Sequence, residues 1–203
     1  MKNKQFIKAD FSFEESIGGI ILGIDEVGKG SVAGPVVAAG VILNNNIDTS
    51  EINDSKKLSV SKREEIFNYL KIHCYYVVKS SSVEEIEKIN ILQASLLAMR
   101  RVIADINYRY DYIFVDGNVS PDQSKKNIKN IIGGDQKSLS IAAASIVAKV
   151  TRDKIMDNLD LKYPQYLWKQ NKGYCTKQHI NAIQKYGITC YHRKNFLSNL
   201  NYG

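Results

Sequence analysis

GIDEVGKGS, Gly23 to Ser31, has the outline of a phosphate-binding loop. Gly23, four residues, then Gly28 and Lys29 match G-x-x-x-x-G-K. The chemistry argues against that reading. A phosphate loop needs Ser or Thr directly after the lysine, because that hydroxyl ligates magnesium. Here Gly30 takes the place and Ser31 comes one residue late. Asp25 and Glu26 also lie inside the loop, where two carboxylates would repel a phosphate unless metal ions intervened. The acids are the better clue. An apolar strand that ends in adjacent Asp and Glu is costly to bury without compensating charge. Side chains alternate along a strand, so the two acids start on opposite sides. They can meet one ion only near the strand end, where the chain bends into glycines. A lone Asp-Glu pair can equally be a solvated strand end, so the rest of the chain has to decide.

Outward from this stretch the chain alternates apolar runs with amphipathic ones. IGGIILGID (17–25) and GPVVAAGVIL (34–43) read as strands able to pair as a hairpin, punctuated by glycines and Pro35. Ser61 to Leu70 reads as a helix, with Ser61 as its cap and Ile66, Phe67 and Leu70 on one face. CYYVVKSS (74–81) is a third strand. Val83 to Ile106 is a long amphipathic helix whose row runs Ile86, Ile89, Leu92, Leu96, Met99, Ile103. DYIFVDG (111–117) is a short apolar strand ending in Asp116. Ser138 to Leu161 is a further helix, with small residues in IAAASIVAK that suit close packing on a sheet. Beyond Pro164 the chain is polar and aromatic, with short helical pieces expected. This order predicts an α/β domain with a mixed sheet, carrying a small C-terminal helical extension.

The chain of 203 residues is long enough for one sizeable core. No apolar run reaches the length of a membrane span. The start, MKNKQFIKADFSFEES, lacks an apolar core behind its basic residues, so no signal peptide and a cytoplasmic location are expected. Cys74, Cys175 and Cys190 have neither CxxC nor zinc spacing and read as free thiols. The net charge of +7, from 28 basic and 21 acidic residues, favours polyanionic partners.

Two more acids join the first pair. Asp116 ends an apolar strand in IFVDGN, and Asp135 follows two glycines in IIGGDQKS just before a helix. If their strands are neighbours, Asp25, Glu26, Asp116 and Asp135 converge at one sheet edge. Mg²⁺ and Mn²⁺ favour such carboxylate oxygens. Two ions about 3.5–4 Å apart can activate water and stabilise a leaving oxygen in phosphodiester cleavage.

The residues resemble the ribonuclease HII family, the type 2 RNase H group. The resemblance is carried by LGIDEVGKGSVAGPVVAAGVIL (22–43), NDSKKLS (53–59), YIFVDGN (112–118), IIGGDQKSLSIAAASIVAKVTRD (131–153), KGYCTKQH (172–179) and YGITCYHRKNF (186–196). These stretches lie in family order over most of the chain. The resemblance implies an RNase H-like fold with a mixed five-stranded sheet: residues 1–163 as catalytic domain and 164–203 as a helical segment completing the substrate site. It implies cleavage of RNA in RNA–DNA hybrids, and incision 5′ of a single ribonucleotide in duplex DNA that leaves 3′-hydroxyl and 5′-phosphate ends. It makes Asp25, Glu26 and Asp116 metal ligands and Asp135 the fourth catalytic acid, with Mn²⁺ or Mg²⁺ as cofactor. It also implies a monomer without membrane attachment.

Gly28, Lys29 and Gly30 match a family Gly-Arg-Gly whose backbone tracks the minor groove and senses the ribose 2′-hydroxyl. Lysine for arginine keeps the charge but loses the planar fork. Tyr174 matches a tyrosine that stacks on the sugar at the RNA–DNA junction, although Cys175 follows it where glycine is common. Lys56, Lys57 and Lys149 are candidate phosphate contacts. Arg152 reads as structural, and His192 and Arg193 read as structural or phosphate-contacting rather than as a general base. QASLL (93–97), Trp168, Tyr163 and Tyr166 are expected to pack in the interior.

Overall fold

The computed structural model describes residues 9–44, 47–53, 55–56 and 58–198. The elements run α1 (Ser12–Glu15), β1 (Ile21–Val27), β2 (Val36–Ile42), α2 (Val60–His73), β3 (Tyr75–Ser81), α3 (Val83–Asp105), β4 (Tyr112–Asp116), β5 (Ile128–Ile131), α4 (Leu139–Lys162), α5 (Trp168–Asn171), α6 (Lys177–Tyr186) and α7 (Lys194–Leu197). They form one five-stranded sheet in the order β3-β2-β1-β4-β5. β1 and β2 pair antiparallel, as do β2 and β3, whereas β1–β4 and β4–β5 are parallel. The sheet is therefore mixed, as expected. β5 has no counterpart among the strands read from local pattern. Its four residues, Ile128 to Ile131, include a lysine and an asparagine, which hide a strand that borrows order from β4.

β2 is buried along its whole length, which accounts for its continuous apolar run. Helices cover both faces of the sheet. Ala39 and Val41 pack with Ile66 and Leu70 of α2 and with the alanines of α4. Leu22, Ile24 and Val115 pack on the other face against Met99 and Val102 of α3. α4 crosses β1 so closely that a Cβ on Gly23 would lie 2.2 Å from the Ser140 carbonyl carbon. The small residues of IAAAS permit that approach, and it fixes α4 over the end of β1.

Two local readings need correction. The cap of α2 is Ser59, whose side chain accepts the Lys62 N–H, so the helix begins one residue before Ser61. α3 is interrupted at Asn90, at φ 64 and ψ 166. Its Oδ1 accepts the Gln93 N–H and restarts the helix. The break rephases the second segment, so Leu92 is exposed while Leu96, Met99 and Ile103 are buried. Ala94, Ser95 and Leu96 of the QASLL stretch are interior.

The segment after Pro164 packs on Val32, Ala33, Met156 and Leu159 through Trp168, Tyr166 and Ile183. Tyr166 and Trp168 stack at 5.1 Å and are fully buried, so both are packing residues. Among the described residues, no helix is long and apolar enough to cross a membrane. All three cysteines are free thiols.

Candidate active site

The register Ile24↔Val115 puts Asp25 and Asp116 one step further along, level on neighbouring strands. Ile24 and Val115 face α3, so strand alternation turns both acids toward α4. Asp25 is buried. Its Oδ1 accepts the Glu26 N–H at 2.7 Å, and Ser145 of α4 hydrogen-bonds the carboxylate. Ser145 in turn shares a 2.9 Å hydrogen bond with Ser55. Burial pushes the Asp25 carboxyl well above its usual range, and the charges of Glu26 and Asp116 push it the same way. Burial also raises Glu26, against the opposing charge of Lys29.

Asp135 belongs to a 3-10 turn, Gly134–Gln136, entered through Gly133 at φ 65. The Gly134 N–H donates to Asp116 Oδ1 at 2.7 Å, which seats this turn against the end of β4. Lys56 Nζ lies 3.2 Å from Asp135 Oδ2, and its charge is also felt by Glu26. Three separate pieces of chain thus deliver Asp25 and Glu26, Asp116, and Asp135 to one end of the sheet.

Among the described residues, no group of three or more Asp, Glu, His or Cys side chains is drawn together closely enough to hold a metal ion as it stands. The carboxylates are instead drawn to the protein's own donors. Lys29 Nζ lies 2.5 Å from Glu26 Oε1, Lys56 is on Asp135, and backbone N–H groups are on Asp25 and Asp116. The other Glu26 oxygen, Oε2, is buried and has no partner among the described residues. An orphaned carboxylate oxygen beside two further acids is a costly arrangement that a hard divalent cation would relieve. Carboxylate oxygens are the ligand type that Mn²⁺ and Mg²⁺ favour.

The loop between β1 and β2 is held by two buried arginines. Arg152 donates to the carbonyls of Pro35 (3.0 Å), Lys172 (2.9 Å) and Ala33 (3.0 Å) and to the Ser31 hydroxyl (2.7 Å). Arg193 donates to the Gly34 and Lys29 carbonyls. Burial lowers both guanidinium pKa values, Arg193 to about 9 with help from the Arg152 charge. Arg152 is structural, as the sequence suggested, and it acts through backbone carbonyls and the Ser31 hydroxyl. Gly28 sits at φ +96 against Arg152, whereas a Cβ on Gly30 would meet nothing within 4 Å.

The tail reaches this loop directly. Gly173 accepts the Val32 and Ala33 N–H groups at 2.8 and 3.1 Å. That places Tyr174, 37% exposed, with its ring 5.6 Å from the Arg152 guanidinium. The Tyr174 carbonyl is held by His179 Nδ1 at 2.9 Å. Trp168 N–H must donate to His179 Nε2, which leaves the His179 proton on Nδ1. His192 accepts the Thr189 N–H at Nδ1 and sits beside His179, with its pKa lowered by burial to about 4. It is buried in the tail as a neutral packing residue. Lys149 pairs with Asp153 at 2.6 Å. Lys57 lies outside the described residues.

Several residues of this arrangement were not read from sequence. Ser145 was visible only as the one polar member of an otherwise apolar, sheet-facing run. Ser55 and His179 carried no local signal, since their partners are distant in the chain.

The profile of the family described as Ribonuclease HII matches residues 22–199. A ribonuclease HII of Wolbachia pipientis from Culex pipiens is 50% identical over 92% of this chain and 95% of its own. That of Pelagibacter ubique is 50% identical over 87% of this chain and 95% of its own. The Archaeoglobus fulgidus ribonuclease HII, solved with PCNA, superposes with a TM-score of 0.71 at 25% identity, covering 91% of this chain and 95% of that one. A Bst-RNase HIII solved with Mn²⁺ shares the fold at 15% identity, with a TM-score of 0.70 over 90% of this chain and 70% of its own. The chain therefore belongs to the ribonuclease HII family and is a type 2 RNase H endonuclease.

Proposed function

We propose that this hydrolase cuts the RNA strand of RNA–DNA hybrids and incises 5′ of single ribonucleotides in duplex DNA, leaving 3′-hydroxyl and 5′-phosphate ends. The observation that carries the reading is that three chain segments bring Asp25, Glu26, Asp116 and Asp135 to one end of the sheet, where a buried Glu26 oxygen has no partner among the described residues. Asp25, Glu26, Asp116 and Asp135 would hold Mn²⁺ or Mg²⁺. Bound there, the ions supply an activated water and charge neutralisation at the leaving 3′-oxygen.

The chain's own groups orient and select. Ser145 and the Glu26 N–H keep the Asp25 carboxylate aimed at the cluster. The Gly28-Lys29-Gly30 backbone, clamped by Arg152 and Arg193, offers a face on which Gly30 leaves room for close approach of a sugar. Tyr174, presented by the 164–203 segment next to that loop, is suited to stack at the junction. Lys56 and Lys149 are proposed phosphate contacts, which requires Lys149 to leave Asp153. The net charge of +7 suits a polyanionic substrate. In this reading the enzyme acts in the cytoplasm as a monomer.

Mapping the ends produced from a DNA duplex with one ribonucleotide, in Mn²⁺ and in Mg²⁺, tests the proposal. One cut 5′ of the ribonucleotide is expected, with an all-DNA duplex untouched. Cutting of long hybrids without that cut would overturn the junction part of the proposal.

A further inference from the structure

Lys29 stands apart from the other cations near the acids. Its ammonium is 2.5 Å from Glu26 Oε1, and Glu26 is only 8% exposed while Lys29 is 46% exposed. Lys56, which touches Asp135 at 3.2 Å, is 79% exposed and pairs more loosely. The backbone beneath Lys29 is fixed. Arg193 holds its carbonyl, and Gly28 before it is wedged against Arg152. Any movement of the Lys29 charge is therefore a side-chain movement on a rigid loop. A lysine also offers one compact charge, so it satisfies Oε1 and leaves Oε2 bare.

We infer that Lys29 is a tethered cation that occupies Glu26 in the metal-free enzyme, is displaced when a divalent ion enters, and then turns its ammonium to a phosphate of the nucleic acid. The inference rests on the proposal that the four acids hold the ion. Its consequence is positive coupling. Ion binding frees a phosphate-binding charge, and phosphate binding removes a competitor for the ion; the two affinities must then rise by the same factor.

The test is calorimetric titration of Mn²⁺ into the full chain, with and without an all-DNA duplex as the phosphate probe, for wild type, Lys29→Met, Lys29→Arg and Asp25→Asn. Without DNA, Lys29→Met is expected to bind Mn²⁺ roughly 3- to 10-fold more tightly than wild type, the scale of a partly exposed ion pair. Lys29→Arg, which keeps the competing charge, should stay near wild type. DNA should tighten Mn²⁺ binding in wild type and do so less in Lys29→Met. Mn²⁺ binding that Asp25→Asn abolishes but Lys29→Met leaves unchanged would overturn the inference while sparing the metal site. An equal shift in Lys29→Met and Lys29→Arg would also overturn it, since a distorted loop would then be the cause. Binding indifferent to Asp25→Asn would remove the metal site and the inference together.

Discussion

Arg152 and Gly28 are fitted to each other: a Cβ on Gly28 would lie 2.3 Å from Arg152 Nε, and Gly28 holds φ +96. Two residues on, Gly30 has open space on its Cβ side. The two glycines of one motif therefore answer to different demands. Gly28→Ala should cost at least about 2 kcal/mol, from the left-handed backbone and the displaced guanidinium. Gly30→Ala should change stability by less than about 0.5 kcal/mol, yet impair incision at a single ribonucleotide more than cleavage of a long hybrid. Urea unfolding and product mapping on the same two variants separate the effects.

Arg152 is fully buried, and its hydrogen-bond partners are three carbonyls and a hydroxyl rather than a carboxylate. Removing it strands those acceptors. Arg152→Met should destabilise the chain by at least about 3 kcal/mol. Arg152→Lys should not rescue it, because one ammonium cannot span acceptors on both the β1–β2 loop and the tail. Denaturant midpoints measure both. A loss below about 1 kcal/mol would show that the loop is held by other contacts.

The His192 pKa falls from 6.5 to about 4 on burial. The unfolded chain then binds more protons than the folded one between those values, so stability is full above pH 6.5 and lost as pH falls toward 4. The scale is about 3 kcal/mol at most. The raised carboxyls of Asp25 and Glu26 act with the opposite sign in part of this range. The contribution of His192 is therefore the difference between wild type and His192→Gln. Unfolding at pH 7.5 and pH 5 should show a smaller acid loss in the variant, and equal losses would contradict the assignment.

What the sequence conveyed followed from whether a residue's reason was local. Asp25 and Asp116 announced themselves because each ends an apolar run, and parallel pairing of those runs makes them neighbours. The wide α4 contact was legible in its alanines. Asn90 was not, because the helical spacing of isoleucines and leucines continues through it, and only the backbone shows the break. β5 was missed because an edge strand need not be apolar on both faces. The arginine clamp was hidden for another reason. Its acceptors are main-chain carbonyls, which leave no trace in residue type.

Asp25 is buried beside Glu26 and Asp116, and the most direct measurement is Asp25→Asn beside wild type on an end-labelled RNA–DNA hybrid in Mn²⁺. Cleavage should fall by at least about 10²-fold, the scale of losing one electrostatic stabiliser in a water-excluded site. The metal-free fold should be as stable as wild type or more so, since a buried carboxyl crowded by two others is neutralised. A variant that still cuts at a rate near wild type would contradict the assignment of the acid cluster as the catalytic centre.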